Sequence, residues 1–315
     1  MIKKYYILII FFLIVQSTGF SQDGDFKIGQ RYEPVYSQYD VNGLAINPAY
    51  TGSRECFSNI ILYRNQWIGF EGAPVTQTLS SHAPFKDEKN AVGVFIFHEQ
   101  IGVSDYYDVY GNYAFRFQFG NGKLSLGLKA GATFFQGNFA DINASPDETQ
   151  TDPLLNNESE FFPNFGVGAY YYNEDYYFGI SVPKFLSYEL KNSQKYMSLG
   201  PSNYDFLVTG GYLIRFSENL QVKPSFLLRY RLDNSFQIDA GANLILFNAI
   251  WFGGSYRRSD EIVIMAEYQV NHQIRAGVAY DLGIGDFSSQ HSGSLEIILR
   301  YDFKYKVKAV SPRYF

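Results

Sequence analysis

Apolar residues alternate one by one with polar or small residues over stretches of about ten positions, and this period of two recurs along most of the chain. The clearest stretch covers residues 123–134, where Leu, Ala and Phe alternate with Lys, Ser, Gly and Thr. Successive side chains of a β-strand point to opposite faces of the sheet. The pattern therefore predicts long strands with one apolar face and one polar face.

Fourteen such strands are predicted, with boundaries uncertain by about two to four residues. They cover residues 56–64, 73–83, 90–100, 106–118, 123–137, 163–173, 175–183, 204–217, 221–231, 235–247, 250–258, 262–270, 273–281 and 294–304. Strands of soluble sandwiches are typically about 5–6 residues long, whereas strands that cross an outer membrane need about 9–11. Strand length therefore favours an all-β fold, a 14-stranded antiparallel transmembrane outer-membrane β-barrel, over a soluble sandwich.

The lengths of the predicted connections give a second test of the barrel. Short, turn-like links alternate with longer ones, and the longest links, 138–162, 184–203 and 282–293, all fall on the same side. Outer-membrane barrels have short periplasmic turns and long outer loops. We therefore expect the N- and C-terminal ends of the barrel's chain both to lie on the periplasmic side of the membrane.

The first 21 residues have the pattern of a secretory signal peptide. Lys3 and Lys4 precede an apolar run from Ile7 to Val15, and cleavage is predicted after Ser21. The run is shorter than the about 20 residues of a membrane-spanning helix. The protein is therefore expected to be exported to the outer membrane of a Gram-negative bacterium, where its apolar face would contact membrane lipid.

Composition and charge exclude several other classes of protein. The 18% aromatic content is unlike that of a disordered chain, and the single cysteine, Cys56, has no partner for a disulfide. The 26 basic residues do not outnumber the 31 acidic ones. A nucleic-acid partner is therefore not expected, because binding phosphates requires an excess of positive charge.

The sequence contains no CxxC, HExxH, P-loop or GxSxG motif. The four histidines lie on separate predicted strands or turns, which disfavours a metal site. A membrane-embedded hydrolase using Ser80 and His82 is an alternative, but both residues lie on one strand and face a neighbouring strand rather than a cleft. We therefore expect neither enzymatic activity nor a cofactor.

Charged residues occupy the polar phase of the predicted strands. A charged residue on the lipid face at the membrane midplane would destabilise the barrel by about 2–4 kcal/mol, so we expect these residues to line the lumen. They can either form internal ion pairs in a filled barrel or line a conduit, and the sequence leaves both possibilities open. The set is Arg116, Lys123, Lys129, Arg229, Glu267, Arg275, Glu296 and Arg300.

The predicted barrel, residues 56–304, is flanked by two segments that do not alternate. Residues 22–55 are rich in turn-forming residues and could thread the lumen as a plug or remain in the periplasm as a docking arm. Residues 305–315 are basic and end in two aromatic residues, and we expect them to form a periplasmic tail.

Several stretches together resemble the PorP/SprF family of outer-membrane proteins of the bacterial type IX secretion system. The stretches are Leu44–Gly52 (LAINPAYTG), Leu62–Pro84, Phe162–Leu186, Ala276–Phe303 and the terminal Ser311–Phe315 (SPRYF). The resemblance covers nearly all of the predicted mature chain.

The resemblance implies a barrel without enzymatic activity that supports secretion and surface anchoring of adhesin-like cargo with type B C-terminal domains, including in gliding motility. It also implies a periplasmic link to the PorK/PorN ring through a PorE-like, OmpA-type lipoprotein that binds peptidoglycan. The alternative function, which the residues alone leave open, is that of a passive porin or a FadL-like transporter of small solutes.

Three groups of residues are candidates for contact with partners. One lies at the predicted outer rim and is either a contact for cargo or the hydrogen-bonded corner of the first hairpin. The other two, in the segment Asn42–Gly52 and in the tail, are hypothesised to face the periplasm and to dock the ring machinery. The candidates are Arg64, Asn65, Gln66 and Trp67 at the rim, Asn47, Pro48 and Tyr50 in the segment, and Ser311, Pro312, Arg313, Tyr314 and Phe315 in the tail.

Overall fold

The computed structural model of the protein describes residues 36–139, 157–191, 194–232, 235–258 and 261–303. The predicted signal peptide (1–21), residues 22–35 of the N-terminal segment and the predicted tail (305–315) lie outside the described residues. In the described ranges no helix is long and apolar enough to cross a membrane.

The described residues form seventeen strands and one short helix, α1 (Gly43–Ile46). The strands are β1 (Phe57–Asn65), β2 (Val75–Pro84), β3 (Asn90–Ile101), β4 (Ser104–Phe119), β5 (Gly122–Gly137), β6 (Glu158–Tyr172), β7 (Tyr176–Val182), β8 (Leu186–Lys191), β9 (Gln194–Leu199), β10 (Phe206–Tyr212), β11 (Ile214–Ser217), β12 (Leu220–Tyr230), β13 (Phe236–Leu246), β14 (Ile250–Arg257), β15 (Glu261–Gln269), β16 (Ile274–Gly283) and β17 (Ser294–Phe303).

Fifteen of these strands form one closed antiparallel sheet. Each strand pairs with its neighbour in the chain, except that β7 pairs with β10 and β1 pairs with β17. β10 and β11 both pair with β12, so they form one strand of the wall that is interrupted at Leu213. The ring therefore has fourteen wall strands, which confirms the predicted 14-stranded barrel. At its seam, nine residue pairs run from Phe57↔Phe303 to Asn65↔Leu295.

Burial alternates along the wall strands, as the period of two requires. In β3, Phe95 and Phe97 face inward and are buried, whereas Val94 and Ile96 face outward and are exposed. The outward face is apolar around the ring, while most of the buried charged side chains point inward. This arrangement, apolar outside and polar inside, is that of an outer-membrane barrel, in which lipid surrounds the wall.

The two ends of the barrel differ in the length of their connections. At one end, here called the turn end, short links join the strands, and β1 begins there at Phe57 while β17 ends there at Phe303. At the other, here called the loop end, the longer links lie at residues 66–74, 138–157, 183–205 and 284–293. Aromatic side chains form a belt along part of the turn end. The ring centroids of Tyr171 and Tyr176 are 5.6 Å apart, and the ring of Tyr176 stacks on that of Tyr212. Such belts mark the membrane interface.

Some details differ from the sequence prediction. β8 and β9 form a separate hairpin within the link predicted at 184–203. β6 begins at Glu158, five residues before the predicted start, since its outer part extends past the apolar band and does not need lipid-facing residues. The strand predicted at 204–217 is broken at Leu213, whose N–H donates to the carbonyl oxygen of Asp175.

Candidate functional site

Residues 36–55, here called the inner segment, lie inside the ring and are almost entirely buried. The segment includes α1 and a 3-10 turn, Pro48–Tyr50. Asn47 caps this turn, because its side-chain oxygen accepts a hydrogen bond from the N–H of Ala49 at 2.9 Å. The amide nitrogen of Asn47 then donates to the carbonyl oxygen of Ala169 in the wall at 3.0 Å. One asparagine thus shapes the segment and fixes it to β6.

The N-terminal part of the inner segment is held at the loop end by an outer charge cluster, which comprises Arg64, Asp239, Arg257, Asp281 and Glu296. All five side chains are buried. Arg64 contacts Asp281 at 2.6 Å and Glu296 at 3.4 Å, and Arg257 contacts Asp281 at 3.0 Å. These pairs satisfy charges that would otherwise be costly to bury.

Ser37 and Gln38 of the inner segment bind directly to this outer charge cluster. The backbone N–H groups of Ser37 and Gln38 donate to the carboxylate of Glu296 at 2.9 and 2.8 Å. The guanidinium groups of Arg64 and Arg257 donate to the hydroxyl oxygen of Ser37 at 2.9 and 3.3 Å. The inner segment therefore supplies four of the hydrogen bonds of the cluster.

The C-terminal part of the inner segment is held near the turn end. Arg54 pairs with Asp302 of β17 at 3.0 Å, and both side chains are buried. The N–H of Gly52 donates to Nδ1 of His82 at 2.9 Å, and the guanidinium of Arg116 donates to the carbonyl oxygen of Gly52. Because Ser37 lies at the loop end and Arg54 near the turn end, the segment crosses the lumen lengthwise.

Further polar contacts fix the middle of the inner segment to opposite walls. Asp40 pairs with Lys223 of β12 at 2.7 Å. Across the lumen, the hydroxyl of Ser80 in β2 donates to the side-chain oxygen of Asn42 at 2.7 Å. The hydroxyls of Ser125 and Ser181 donate to backbone carbonyl oxygens of the segment, each at 2.6 Å. The segment is therefore bound on several sides of the ring.

Inward-facing glycines of the wall make room for the inner segment. A Cβ atom added at Gly127 would lie 2.1 Å from the backbone nitrogen of Ala49. One added at Gly168 would lie 2.1 Å from the side-chain oxygen of Asn47, and one at Gly277 would lie 2.5 Å from Oε1 of Gln38. A side chain at Gly127 or Gly168 would overlap the segment, so the wall is shaped to its occupant.

The structure brings the predicted site residues into two different environments. Asn47, Pro48 and Tyr50 are buried in the lumen, where the ring of Tyr50 packs edge-on against His82 and Tyr170. Arg64 is also buried, in the outer charge cluster rather than at the surface of the rim. In this structure these side chains contact the barrel itself. Ser311–Phe315 lie outside the described residues.

Asn65, Gln66 and Trp67 are partly exposed at the loop end. Trp67 packs edge-on against Phe70 and Phe287, with ring centroids 6.5 and 5.2 Å apart, and His291 lies beside Phe287. These four rings are here called the rim cluster. Phe70 and Phe287 are 42% and 44% exposed, so the cluster presents aromatic surface outside the barrel.

Two loops hold the rim cluster in place. The N–H of Ile68 donates to the carbonyl oxygen of Gly293, and the N–H of Ser292 donates to that of Ile68. The N–H of Trp67 donates to the hydroxyl of Ser294 at 3.1 Å. Trp67 has a φ of +47°, which is uncommon for a residue other than glycine and requires such support. Links 66–74 and 284–293 are therefore joined.

The residues considered for catalysis have structural partners in the lumen. Ser80 binds Asn42, and His82 accepts its hydrogen bond from the inner segment, so neither faces a cleft that could hold a substrate. Across the described ranges, no group of three or more His, Cys, Asp or Glu side chains is placed to hold a metal ion. The arrangement binds a polypeptide segment.

Sequence reasoning missed the residues that hold the inner segment. Ser37, Gln38 and Asp40 gave no signal, since their partners in the wall lie far along the chain. Glycines such as Gly127 and Gly168 do have a signal, because they stand in the inward phase of long strands, where glycine often marks close approach of another backbone. The inward phase of the charged residues was predicted, and those at 116, 129, 267, 275, 296 and 300 are buried.

Comparison with solved structures agrees with the fold. The toluene transporter TbuX of Ralstonia pickettii aligns with a TM-score of 0.53 at 11% identity, over 83% of this chain and 93% of that chain. Omp33 of Acinetobacter baumannii and the monoaromatic hydrocarbon channel CymD align with TM-scores of 0.46 and 0.47 at 9% and 12% identity. They cover 79% and 86% of this chain, and 100% and 94% of their own chains. No curated protein sequence matches the chain.

The ring, its apolar outer face and its aromatic belt define an outer-membrane β-barrel, and its inner segment makes the lumen a binding site for part of the same chain. The family model described as type IX secretion system membrane protein PorP/SprF matches residues 28–301. The chain belongs to this family, which confirms the resemblance seen in the sequence. The family is that of a type IX secretion system membrane protein, and the fold is that of an outer-membrane barrel.

Proposed function

We propose that this barrel supports the secretion and surface anchoring of adhesin-like cargo with type B C-terminal domains. It works by binding rather than by catalysis, and it connects this cargo to a PorE-like, OmpA-type lipoprotein and to the PorK/PorN ring in the periplasm. Membership of the PorP/SprF family supports the proposal, and the cargo and partners come from that resemblance.

The observation that most favours binding is the filled lumen. The inner segment is held by a buried ion pair near the turn end and by hydrogen bonds to a buried carboxylate at the loop end, and it fits against glycines of the wall. Displacing it would take Arg54 from Asp302 and two backbone N–H donors from Glu296, and the loss of such partners is costly for buried charges. A barrel filled in this way offers its two rims to partners, whereas a passive porin requires an open channel.

At the loop end, the rim cluster is the proposed contact for cargo. Trp67, Phe70 and Phe287 present exposed aromatic rings, and such residues are enriched at the centres of protein interfaces. The neighbouring Asn65 and Gln66 would add hydrogen bonds. Arg64 contributes indirectly, since its ion pairs with Asp281 and Glu296 join the strands from which both rim loops begin.

At the turn end, the tail Ser311–Phe315 is the proposed docking element for the periplasmic partners. The sequence supports this proposal through its proline and two terminal aromatic residues. For Asn47, Pro48 and Tyr50 we propose a different role from direct docking. Their buried contacts favour holding the inner segment in the lumen.

Two measurements on the full chain test the proposal against the passive porin or FadL-like alternative. In planar bilayers, the purified barrel should give no steady conductance. In cells that lack the barrel, adhesin-like cargo should be lost from the surface, and a mild-detergent pulldown of the tagged barrel should recover this cargo with an OmpA-like lipoprotein. Steady conductance, together with normal surface cargo in the deletion strain, would favour the porin.

A further inference from the structure

The outward face of β3 and β4 carries a polar pair near the loop end, although this face is otherwise apolar. Nε2 of His98 lies 2.9 Å from Oδ1 of Asp105, and the His98 ring stacks on Tyr107 with centroids 4.4 Å apart and planes at 14°. In the register of the sheet, Gln77 of β2 lies opposite His98 of β3, and Gln100 of β3 lies opposite Asp105 of β4. Charged groups on the lipid face are tolerated near the interfaces rather than at the midplane.

A groove lies on the same outward face, toward the turn end from this pair. Gly111 of β4 and Ala130 of β5 are directly paired, so two small residues stand side by side. The next outward pair toward the turn end, Tyr113 with Leu128, is large, and the next one toward the loop end includes the small Ala132. A Cβ atom added at Gly111 would meet only the carbonyl oxygen of Ala130, at 3.8 Å. The concavity has a volume of about 580 Å³ and is bordered by Tyr113, Leu128 and Phe165.

Strand geometry places both features in the membrane. A strand tilted by about 40° rises about 2.5 Å per residue along the membrane normal. Gly111 lies eight residues from Phe119 in the aromatic belt of the turn end, which corresponds to about 20 Å within an apolar band about 25 Å tall. Tyr107 lies a further four residues toward the loop end, at the level of the outer headgroups.

We propose that this face binds a glycolipid of the outer leaflet, with an acyl chain in the groove over Gly111 and Ala130 and the saccharide headgroup against His98, Asp105 and Tyr107. The groove is lined by apolar side chains and lies in the outer half of the apolar band. At this depth the wall is surrounded by the acyl chains of outer-leaflet lipids. The site is independent of the proposed secretion function and of the filled lumen.

The polar pair selects the headgroup. The carboxylate of Asp105 accepts hydrogen bonds from sugar hydroxyls but repels the phosphate of a phospholipid. The exposed ring of Tyr107 offers a flat apolar surface to one face of a sugar, and the amide of Gln100 can donate or accept beside it. A neutral headgroup with many hydroxyls fits this set better than an anionic one.

Native mass spectrometry of the full-length barrel tests the site with two probes that share one chain. The barrel is extracted in a polyoxyethylene detergent, so that no sugar detergent competes, and is then titrated with dodecyl maltoside or with dodecylphosphocholine. We expect a one-to-one maltoside adduct that binds about tenfold more tightly than the phosphocholine adduct. Equal binding of both probes, or no adduct with either, would overturn the proposal, and a dimer formed through this face would assign the groove to a second copy.

Three variants assign the adduct to this face. Gly111→Leu fills the groove and should remove the maltoside adduct, whereas Gly254→Leu, at an outward glycine of β14, should retain it. Asp105→Leu should make the two probes bind equally. Retention of the adduct by Gly111→Leu would contradict the proposal. The barrel extracted from its own outer membrane should carry a lipid whose fragments lose sugar units, and a phospholipid in its place would contradict the headgroup assignment.

Discussion

The hydroxyl of Ser37 donates a hydrogen bond to the carboxylate of Asp281 at 2.6 Å, although the two residues are 244 positions apart in the chain. Two guanidinium groups, those of Arg64 and Arg257, donate to the same hydroxyl oxygen. A single serine of the inner segment thus satisfies groups on three strands of the wall. The inner segment and the outer charge cluster form one structural unit.

Removal of Asp281 should destabilise the barrel strongly. Asp281→Ala takes one carboxylate from two buried arginines, and loss of one partner of a buried ion pair costs about 3–5 kcal/mol. The free energy of unfolding can be measured with urea in detergent micelles. The matched control is Asp175→Ala, which breaks an exposed pair with Arg215 and should cost about 0–1 kcal/mol. Similar losses in the two variants would contradict the role of the outer charge cluster.

A side chain at Gly127 should displace the inner segment. The Cβ atom of Gly127→Leu would overlap the backbone of Ala49, whereas that of Gly254→Leu lies outside the wall and makes only an ordinary contact, at 3.5 Å, with the carbonyl oxygen of Val263. We expect Gly127→Leu to give steady conductance in planar bilayers and new protease cleavage within residues 36–55, with the Gly254→Leu control silent and protected. If both variants stay silent, the segment is not what closes the lumen.

The two halves of the predicted rim site should separate in function. Trp67→Ala combined with Phe287→Ala removes exposed rings of the rim cluster and should lower the amount of cargo on the cell surface with little change in barrel stability. Arg64→Ala, in contrast, should lower the free energy of unfolding by about 3–5 kcal/mol, because it leaves buried carboxylates unpaired. Normal surface display in the double variant would exclude the rim cluster as a cargo contact.

The turn between β2 and β3 should loosen in acid. Hydrogen bonds from the backbone and side chain of Asn90, with a further one from the N–H of Lys89, lower the pKa of Asp87. Because the pKa is lower in the folded state, this stabilisation is present above the ordinary pKa of an aspartate and is lost as the pH falls through the lowered value. The hydrogen-exchange protection factors of the Lys89 and Asn90 amides should therefore decrease as the pH is lowered.

The turn between β6 and β7 supplies a matched control for this acid effect. There the side-chain oxygen of Asn173 accepts from the N–H groups of Asp175 and Tyr176 at 2.8 and 2.9 Å, and an amide does not titrate. Its protection factors should stay constant over the same pH range. Equal loss of protection in both turns would indicate general unfolding rather than protonation of Asp87.

The wall of the barrel could be predicted from the sequence because each strand has its own signal. The alternation through Leu124, Leu126 and Leu128 reports the outward face of β5 directly, and long strands of this kind match a membrane. The break at Leu213 and the hairpin of β8 and β9 could not be predicted in the same way. They depend on local contacts, such as the hydrogen bond from the N–H of Leu213 to the carbonyl oxygen of Asp175. Contacts of this kind produce no periodic pattern in the sequence.

The inner segment shows where sequence reasoning ends. Its dense turn residues indicated an ordered loop, which is consistent with both a plug and a docking arm. Its position is set by pairs such as Asp40 with Lys223 and Arg54 with Asp302, which lie far apart in the chain. A charged residue in the inward phase of a strand shows that it needs a partner, and the structure supplies the identity of that partner.

The closed seam between β1 and β17 has a consequence for the order of assembly. The inner segment contacts wall strands from β2 to β17 and leads through Cys56 directly into β1. Closing the ring around the segment would avoid threading residues 36–55 through a finished barrel. We therefore expect the pairing of β1 with β17 to be the last step of folding, after the inner segment has bound the other wall strands.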